Sequence, residues 1–157
     1  MKRCRRVLAC CAVVAGLASG AAGAQPAHAS RQTGGLVFHY GLVPSEMVLA
    51  HPQAHAERQM HPGESRKGRS HLVLAIFDAA SGERISQAEV VTHITLVGGA
   101  SATKPLERMD IANLPSFGAF VPVGAPGIYK IRFEVKRPGV AGTASAEFEH
   151  RIPAARR

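Results

Sequence analysis

The side chains in this sequence best suited to chemistry are its histidines and methionines. There are eight histidines and four methionines in 157 residues. His39, His51, His55, His61 and His71 fall between residues 39 and 71, with Met47 and Met60 among them and Met60 directly before His61. His93 and Met109 follow. Imidazole suits copper, zinc and iron, and a thioether favours cuprous copper. Spacing adds little. Met47, His51 and His55 would share one face of a helix, but Pro52 disfavours helical geometry at His51 and removes a backbone donor. A polar loop carrying solvated histidines is the plainer alternative.

Cysteine, the other soft ligand, occurs only as Cys4, Cys10 and Cys11. These lie in a segment that reads as an address. Lys2, Arg3, Arg5 and Arg6 precede an apolar run over 7–18. Ala22-Gly23-Ala24 is a small-residue cleavage pattern, and Ala27-His28-Ala29 is a second. The run is shorter than the roughly 20 residues a membrane span requires. We expect a signal peptide over 1–24, cleaved as late as 29, and hence a periplasmic protein with no stable membrane anchor. Its removal takes four cations and all three cysteines. The formal charge of +8 becomes +4, fifteen Lys and Arg against eleven Asp and Glu. The exported chain would then have no disulfide, no thiolate site and no cysteine nucleophile, and would fold on its hydrophobic core alone.

That charge, scattered and without flanking aromatic pairs, argues against nucleic acid as a partner. Catalytic motifs are also missing. There is no GxSxG, no P-loop, no GxGxxG before a helix and no HExxH. We therefore expect a binding protein rather than an enzyme.

The remaining sequence reads as strands. Residues 25–34 are polar and small, and suggest a flexible lead. Leu36, Phe38, Tyr40 and Leu42 alternate with Val37, His39 and Gly41, a first strand. Residues 43–69 lack periodicity and carry Pro44, Pro52, Pro62, Gly63 and Gly68. They predict a long irregular loop, of the kind that is usually functional or disordered, with a short helical turn after Ser45. Residues 71–78 are nearly all apolar and suit a central strand. Residues 88–97 are β-branched, with Val90, Ile94 and Leu96 on one face and His93 and Thr95 on the other. Short strands are expected over 104–110 and 117–123. Over 128–135, Tyr129, Ile131, Phe133 and Val135 point inward and Lys130, Arg132 and Glu134 outward. A similar alternation over 143–151 gives the last strand, and 153–157 a basic tail. About seven short strands separated by turns predict an all-β fold, an immunoglobulin-like antiparallel sandwich over 35–152. Gly127-Ile128-Tyr129 fits a tyrosine corner, with the hydroxyl bonded to a connecting loop.

Several short motifs resemble one known group. His71-Leu72, Leu106-Glu107-Arg108-Met109, Phe117-Gly118, Gly127-Ile128-Tyr129 and Arg137-Pro138 are similar to motifs of the periplasmic iron-transport accessory proteins and their lipoprotein relatives. A looser likeness is to the YtkA-like and FixH-like exported domains. The resemblance spans about residues 70–140. It implies an immunoglobulin-like sandwich that binds copper or ferrous iron and often dimerises. Carried over position by position, the family's metal-binding histidine and methionine match His71 and Met109. The family's glutamate two residues after that histidine is Val73 here. Its further histidine is Ser116, and the tyrosine beside it is Phe117. Half of the inherited site is therefore missing. Either His93 or a histidine of the 43–69 loop completes it, or the site is lost. Without a metal role, His71 is expected at a strand edge facing solvent, and Met109 in the core.

The sequence thus points to a periplasmic, non-catalytic metal binder. Copper is favoured, with ferrous iron the other candidate. It would be a carrier, sensor or accessory in metal transport or resistance, working with an inner-membrane transporter or other envelope protein. His71, Met109, His93, His51, His55, Met60 and His61 are the candidate ligands. The alternative is an immunoglobulin-like assembly module of the cell envelope with incidental histidines.

Overall fold

The computed structural model describes residues 29–50 and 68–154. The expected signal segment and the terminal Arg156 and Arg157 lie outside them. Eight strands and one short helix follow in order: β1 (Ala29–Thr33), β2 (Leu36–Pro44), α1 (Ser45–Ala50), β3 (Ser70–Asp78), β4 (Glu89–Leu96), β5 (Ser101–Ile111), β6 (Leu114–Val121), β7 (Gly127–Lys136) and β8 (Ala144–Ile152). All pairings are antiparallel, in the lateral order β1-β2-β3-β6-β5-β4-β7-β8. β1 and β8, the two ends of that order, lie against each other, so the sheet nearly closes on itself.

Alternation decides which residues enter the core. Leu72, Leu74 and Ile76 of β3 point inward. So do Val90 and Ile94 of β4, Phe117, Ala119 and Val121 of β6, and Tyr129, Ile131, Phe133 and Val135 of β7. Ala146 and Phe148 of β8 complete the pattern. β3 is a central strand, paired to β2 on one side and β6 on the other, as its apolar sequence predicts. The tyrosine corner is present: the Tyr129 hydroxyl donates to the Ala125 carbonyl at 2.9 Å. β5 joins the two halves of the fold. Residues 101–106 pair with β4 and 107–111 with β6. The change of partner follows Pro105, whose ring nitrogen has no hydrogen to donate.

Two segments differ from expectation. Ala29–Thr33, inside the expected flexible lead, is strand β1. It is polar because it lies at the end of the sheet and exposes most of its side chains, so hydrophobic periodicity does not reveal it. The signal that does is Gly34-Gly35, whose φ values of 56° and 72° make the two-residue turn that leads β1 into β2. At the other end, β2 runs to Pro44, inside the expected loop, and the helical turn expected after Ser45 is α1; the rest of that expected loop, residues 51–67, lies outside the described residues.

His150 of β8 stands at the seam between the ends of the sheet, its Nδ1 3.4 Å from the hydroxyl of Tyr40. Partial burial holds its imidazole below the ordinary histidine value by penalising the charged form. The folded protein therefore binds that proton less readily than the unfolded chain. Stability from this group is present above pH ~6.5 and is lost as pH falls through the lowered folded value. Wild-type urea midpoints should drop between pH 7.5 and 5, and His150→Gln should flatten part of that drop. An unchanged slope in the variant would remove His150 from the account.

Candidate functional site

The core takes one face of β3, β6 and β5, and the candidate ligands His71 and Met109 stand on the other. In β3, the core positions Leu72, Leu74 and Ile76 leave His71, Val73, Ala75 and Phe77 facing outward. In β6, Phe117, Ala119 and Val121 leave Ser116, Gly118 and Phe120. Register aligns the outward residues in rows. His71 lies between Val43 and Phe120, and Val73 between Gly41 and Gly118. Gly118 lies opposite Glu107, and Ser116 opposite Met109.

An outward face would ordinarily be wet, but this one is not. His71 is 0% exposed, Met109 3%, Ser116 2% and Phe120 1%, and none of them belongs to the central core cluster. Val48 of α1, also outside that cluster, is fully buried, and α1 packs on β2 and β3. His71 is thus neither at a strand edge nor in solvent. Its ring packs on Phe120 with centroids 4.9 Å apart.

Met109 reaches across its neighbouring strand. It is registered opposite Ser116, yet a Cβ placed on Gly118 would lie 2.6 Å from its Cε and 3.0 Å from its Sδ. The thioether therefore sits in the notch that Gly118 leaves on β6, one strand closer to His71. The β5–β6 turn that holds this register puts Ala112 and Asn113 at φ values of 51° and 61°, the geometry of a tight hairpin turn.

The remaining candidates separate. His93 faces outward on β4, in the other half of the fold. Its Nδ1 is 3.1 Å from Thr103 Oγ1, and its Nε2 is 3.4 Å from Glu134. Thr103, its register partner, is six residues along β5 from Met109, about 20 Å at strand rise. His93 therefore does not complete the His71 and Met109 pair. His51, His55, Met60 and His61 lie outside the described residues. The ends of their segment do not: the Ser45 amide donates to the Arg69 carbonyl at 3.0 Å, and Pro44 is registered with Ser70. Ser45 and Arg69, which bracket that stretch of sequence, are thus held together at the start of β3. Met47 on α1 is exposed, and His39 stands edge-on to Phe77 at 5.5 Å.

Two residues outside the set of candidate ligands complete the face. One is Gly118. The other is Arg84, whose guanidinium lies 5.1 Å from the Phe77 ring centroid and donates to Ser116 Oγ at 3.5 Å. Arg84 is registered beside Phe77 and so projects onto the same outer face.

The described residues thus place one imidazole and one thioether on the same buried outer face, with a hydroxyl at Ser116. Among them, no group of three or more His, Cys, Asp or Glu could hold a metal ion. The donor set fits a soft ion in part and does not form a complete site for a hard divalent one.

No family model matches the sequence, and no curated protein matches it. Solved structures do match the fold. FetP of uropathogenic Escherichia coli strain F11, expressed in the periplasm of E. coli, is 13% identical at a TM-score of 0.63, covering 84% of this chain and 97% of its own. The copper-reconstituted P19 protein from Campylobacter jejuni is 12% identical at a TM-score of 0.61, covering 80% and 94%. A DUF4426 family protein from Pseudomonas aeruginosa PAO1 is 17% identical at a TM-score of 0.60, covering 82% and 97%. Copper-bound variants of FetP and P19 match as well. These are the proteins to which the sequence motifs pointed, and the likeness measured at this identity is one of fold.

Proposed function

We propose that this chain is an exported, periplasmic, immunoglobulin-like sandwich that binds copper without catalysis. It serves as a carrier, sensor or accessory of a metal-transport or resistance system. The observation that carries the proposal is the convergence of His71 and Met109, from strands not adjacent in the sheet, on one buried outer face. Three further points support it. Solved relatives of the same fold are copper-bound. The sequence after 24 has no cysteine to serve instead. Ser45 and Arg69, which bracket the stretch rich in histidine and methionine, are hydrogen-bonded to each other at the start of β3.

A bound copper ion would be held by the His71 imidazole and the Met109 thioether, with the 51–67 segment supplying the rest. The role of the protein is to keep both donors dry and oriented. The Gly118 notch seats the sulfur, and Phe120 restricts the imidazole ring. Ligation needs the neutral imidazole, so binding weakens in acid.

Calorimetric titration of the purified protein with cupric ion, and with cuprous ion against a competing chelator, tests this. We expect binding tighter than about micromolar, weakened at least about tenfold by His71→Ala and by Met109→Leu. Absence of such binding, or affinity unchanged in both variants, overturns the proposal.

One observation favours the envelope-module reading. A shallow depression of about 440 Å³, largely apolar, is lined by His39, Tyr40, Gly41, Val43, Val73 and Ala75 on the outer face of β2 and β3. A protein partner docked there would be retained in the presence of a chelator.

A further inference from the structure

We propose that the groove where β4 and β7 part binds a carboxylate carried on a small apolar body, with the Arg84 guanidinium as its counter-charge. The proposal does not depend on the copper reading.

The ladder between β4 and β7 stops at Glu89 and Lys136. Beyond it, residues 84–87 and 137–140 border a groove of about 380 Å³. The groove lies toward the far end of β3 from the 51–67 stretch. Arg84 is bridged to Phe77, seven residues along β3 from Ser70, or about 23 Å at strand rise. Both connections that border the groove, 79–88 and 137–143, consist of described residues.

The lining has two cations and no acid. Arg84 and Arg137 supply charge, Ser86 and Gln87 polar side chains, and Ile85 and Val140 apolar surface. Among the described residues, the amides of Ser86 and Gln87 donate to no backbone carbonyl. The acids nearby are committed or wet. Asp78, outside the lining, accepts from Arg137 at 3.2 Å and from the Ala80 and Ser81 amides. Asp110 holds Arg108 in a fork at 3.0 and 3.2 Å, and Glu89 stands 3.8 Å from Lys136. Glu83 is exposed, so solvent and salt screen its charge.

Arg84 is the cation left over. Among the described residues no carboxylate pairs with it. Its guanidinium stands over the Phe77 ring, one terminal nitrogen is 3.5 Å from Ser116 Oγ, and its Nε is buried without a hydrogen-bond partner. The group is thus held in place with most of its donors unused. Its charge is delocalised over a planar fork, so a carboxylate at the terminal nitrogens would offset the cost of burying Nε. Fork geometry matches a carboxylate, and the apolar wall suits a short aliphatic group attached to it. Such a ligand is either a small free acid or the C-terminus of a protein chain ending in an apolar residue.

Nuclear magnetic resonance titration of the purified ¹⁵N-labelled protein tests this. The probes are butyrate and N-acetyl-Gly-Ala-Val with a free carboxylate. The controls are the same peptide amidated at its C-terminus, and inorganic phosphate. We expect saturable shifts at the Ser86, Gln87 and Val140 amides, with a Kd of about 1 mM or tighter for at least one acid. Both controls should bind at least about tenfold more weakly, and Arg84→Gln should weaken the acid by a similar factor. Tighter binding of the peptide assigns the ligand to a chain terminus, and tighter binding of butyrate to a free acid. If Arg84→Gln fails to fold, Val140→Glu provides a second arm. Val140 is 47% exposed, so the fold tolerates the change, and an acid on the groove wall should abolish binding. Absence of saturable shifts with both acids overturns the proposal. So does equal binding of either control, or affinity unchanged in folded Arg84→Gln or in Val140→Glu.

Discussion

Gly118→Ala is expected to destabilise the fold by about 1–3 kcal/mol, the usual cost of forcing extra atoms into a packed site, and to weaken copper binding at least about tenfold. The two effects have different origins. A new Cβ would stand 2.6 Å from Met109 Cε, and a flexible methionine can retreat from it. It would also stand 2.9 Å from the Leu72 carbonyl oxygen, which belongs to the backbone of central strand β3. That strand is paired on both sides, so the carbonyl cannot withdraw without widening the sheet. Met109→Ala in the Gly118→Ala background should therefore recover only the part of the stability loss due to the thioether, a non-additivity that a double-mutant cycle measures. The loss of binding follows from the displaced sulfur and persists in the double variant. Urea denaturation and copper titration of the three variants provide the check. Gly118→Ala with wild-type stability and wild-type copper affinity would show that the notch is incidental.

Phe133→Ala is expected to cost about 3–5 kcal/mol, as large aromatic deletions in cores do. Against a total of roughly 5–15 kcal/mol, that puts the domain near its unfolding threshold. Phe133 is fully buried on β7. Its ring lies 5.9 Å from that of Tyr40 on β2 and 5.9 Å from that of Phe148 on β8, and the latter two are 4.8 Å apart. The three rings tie the beginning of the sheet to its end, where backbone pairing does not close it. Removing the middle ring leaves a cavity that the flanking strands cannot fill without losing register. Phe133→Leu should cost about half as much or less, since it keeps most of the volume. Phe133 faces the core and not the outer face of β3 and β6, so the folded fraction of Phe133→Ala should bind copper as tightly as wild type. Equal urea midpoints for Phe133→Ala and wild type would refute this account of the seam.

Alternation is a property of adjacent residues, and it carried most of the strand assignment. It placed the core residues of β4 and β7 on their correct faces, and it separated Val90 and Ile94 from His93. It failed for β1, where an exposed strand at the end of the sheet has no apolar side to display. The candidate site was legible only in halves. Resemblance singled out His71 and Met109 as separate points along the chain. It could not show that they share a face, nor that this face is buried. His93 was a candidate in sequence to complete the site, because an outward-facing histidine on one strand looks the same as one on another.

The sequence by itself determined that the chain is all-β and antiparallel, which residues alternate toward the core, and that imidazole and thioether are the soft donors left after residue 24. Tertiary structure decided which strands are neighbours. β5 leaves β4 for β6 after Leu106, and that change of partner places Met109 against Gly118 and leaves His93 in the other half of the fold. It also places Arg84 against Ser116. The physical reason is that side-chain direction follows the local period of two, whereas strand pairing is a contact between distant segments. Its register is set by how the whole core packs. Nothing within a few residues of Gly118 or Arg84 records which atoms will stand opposite them.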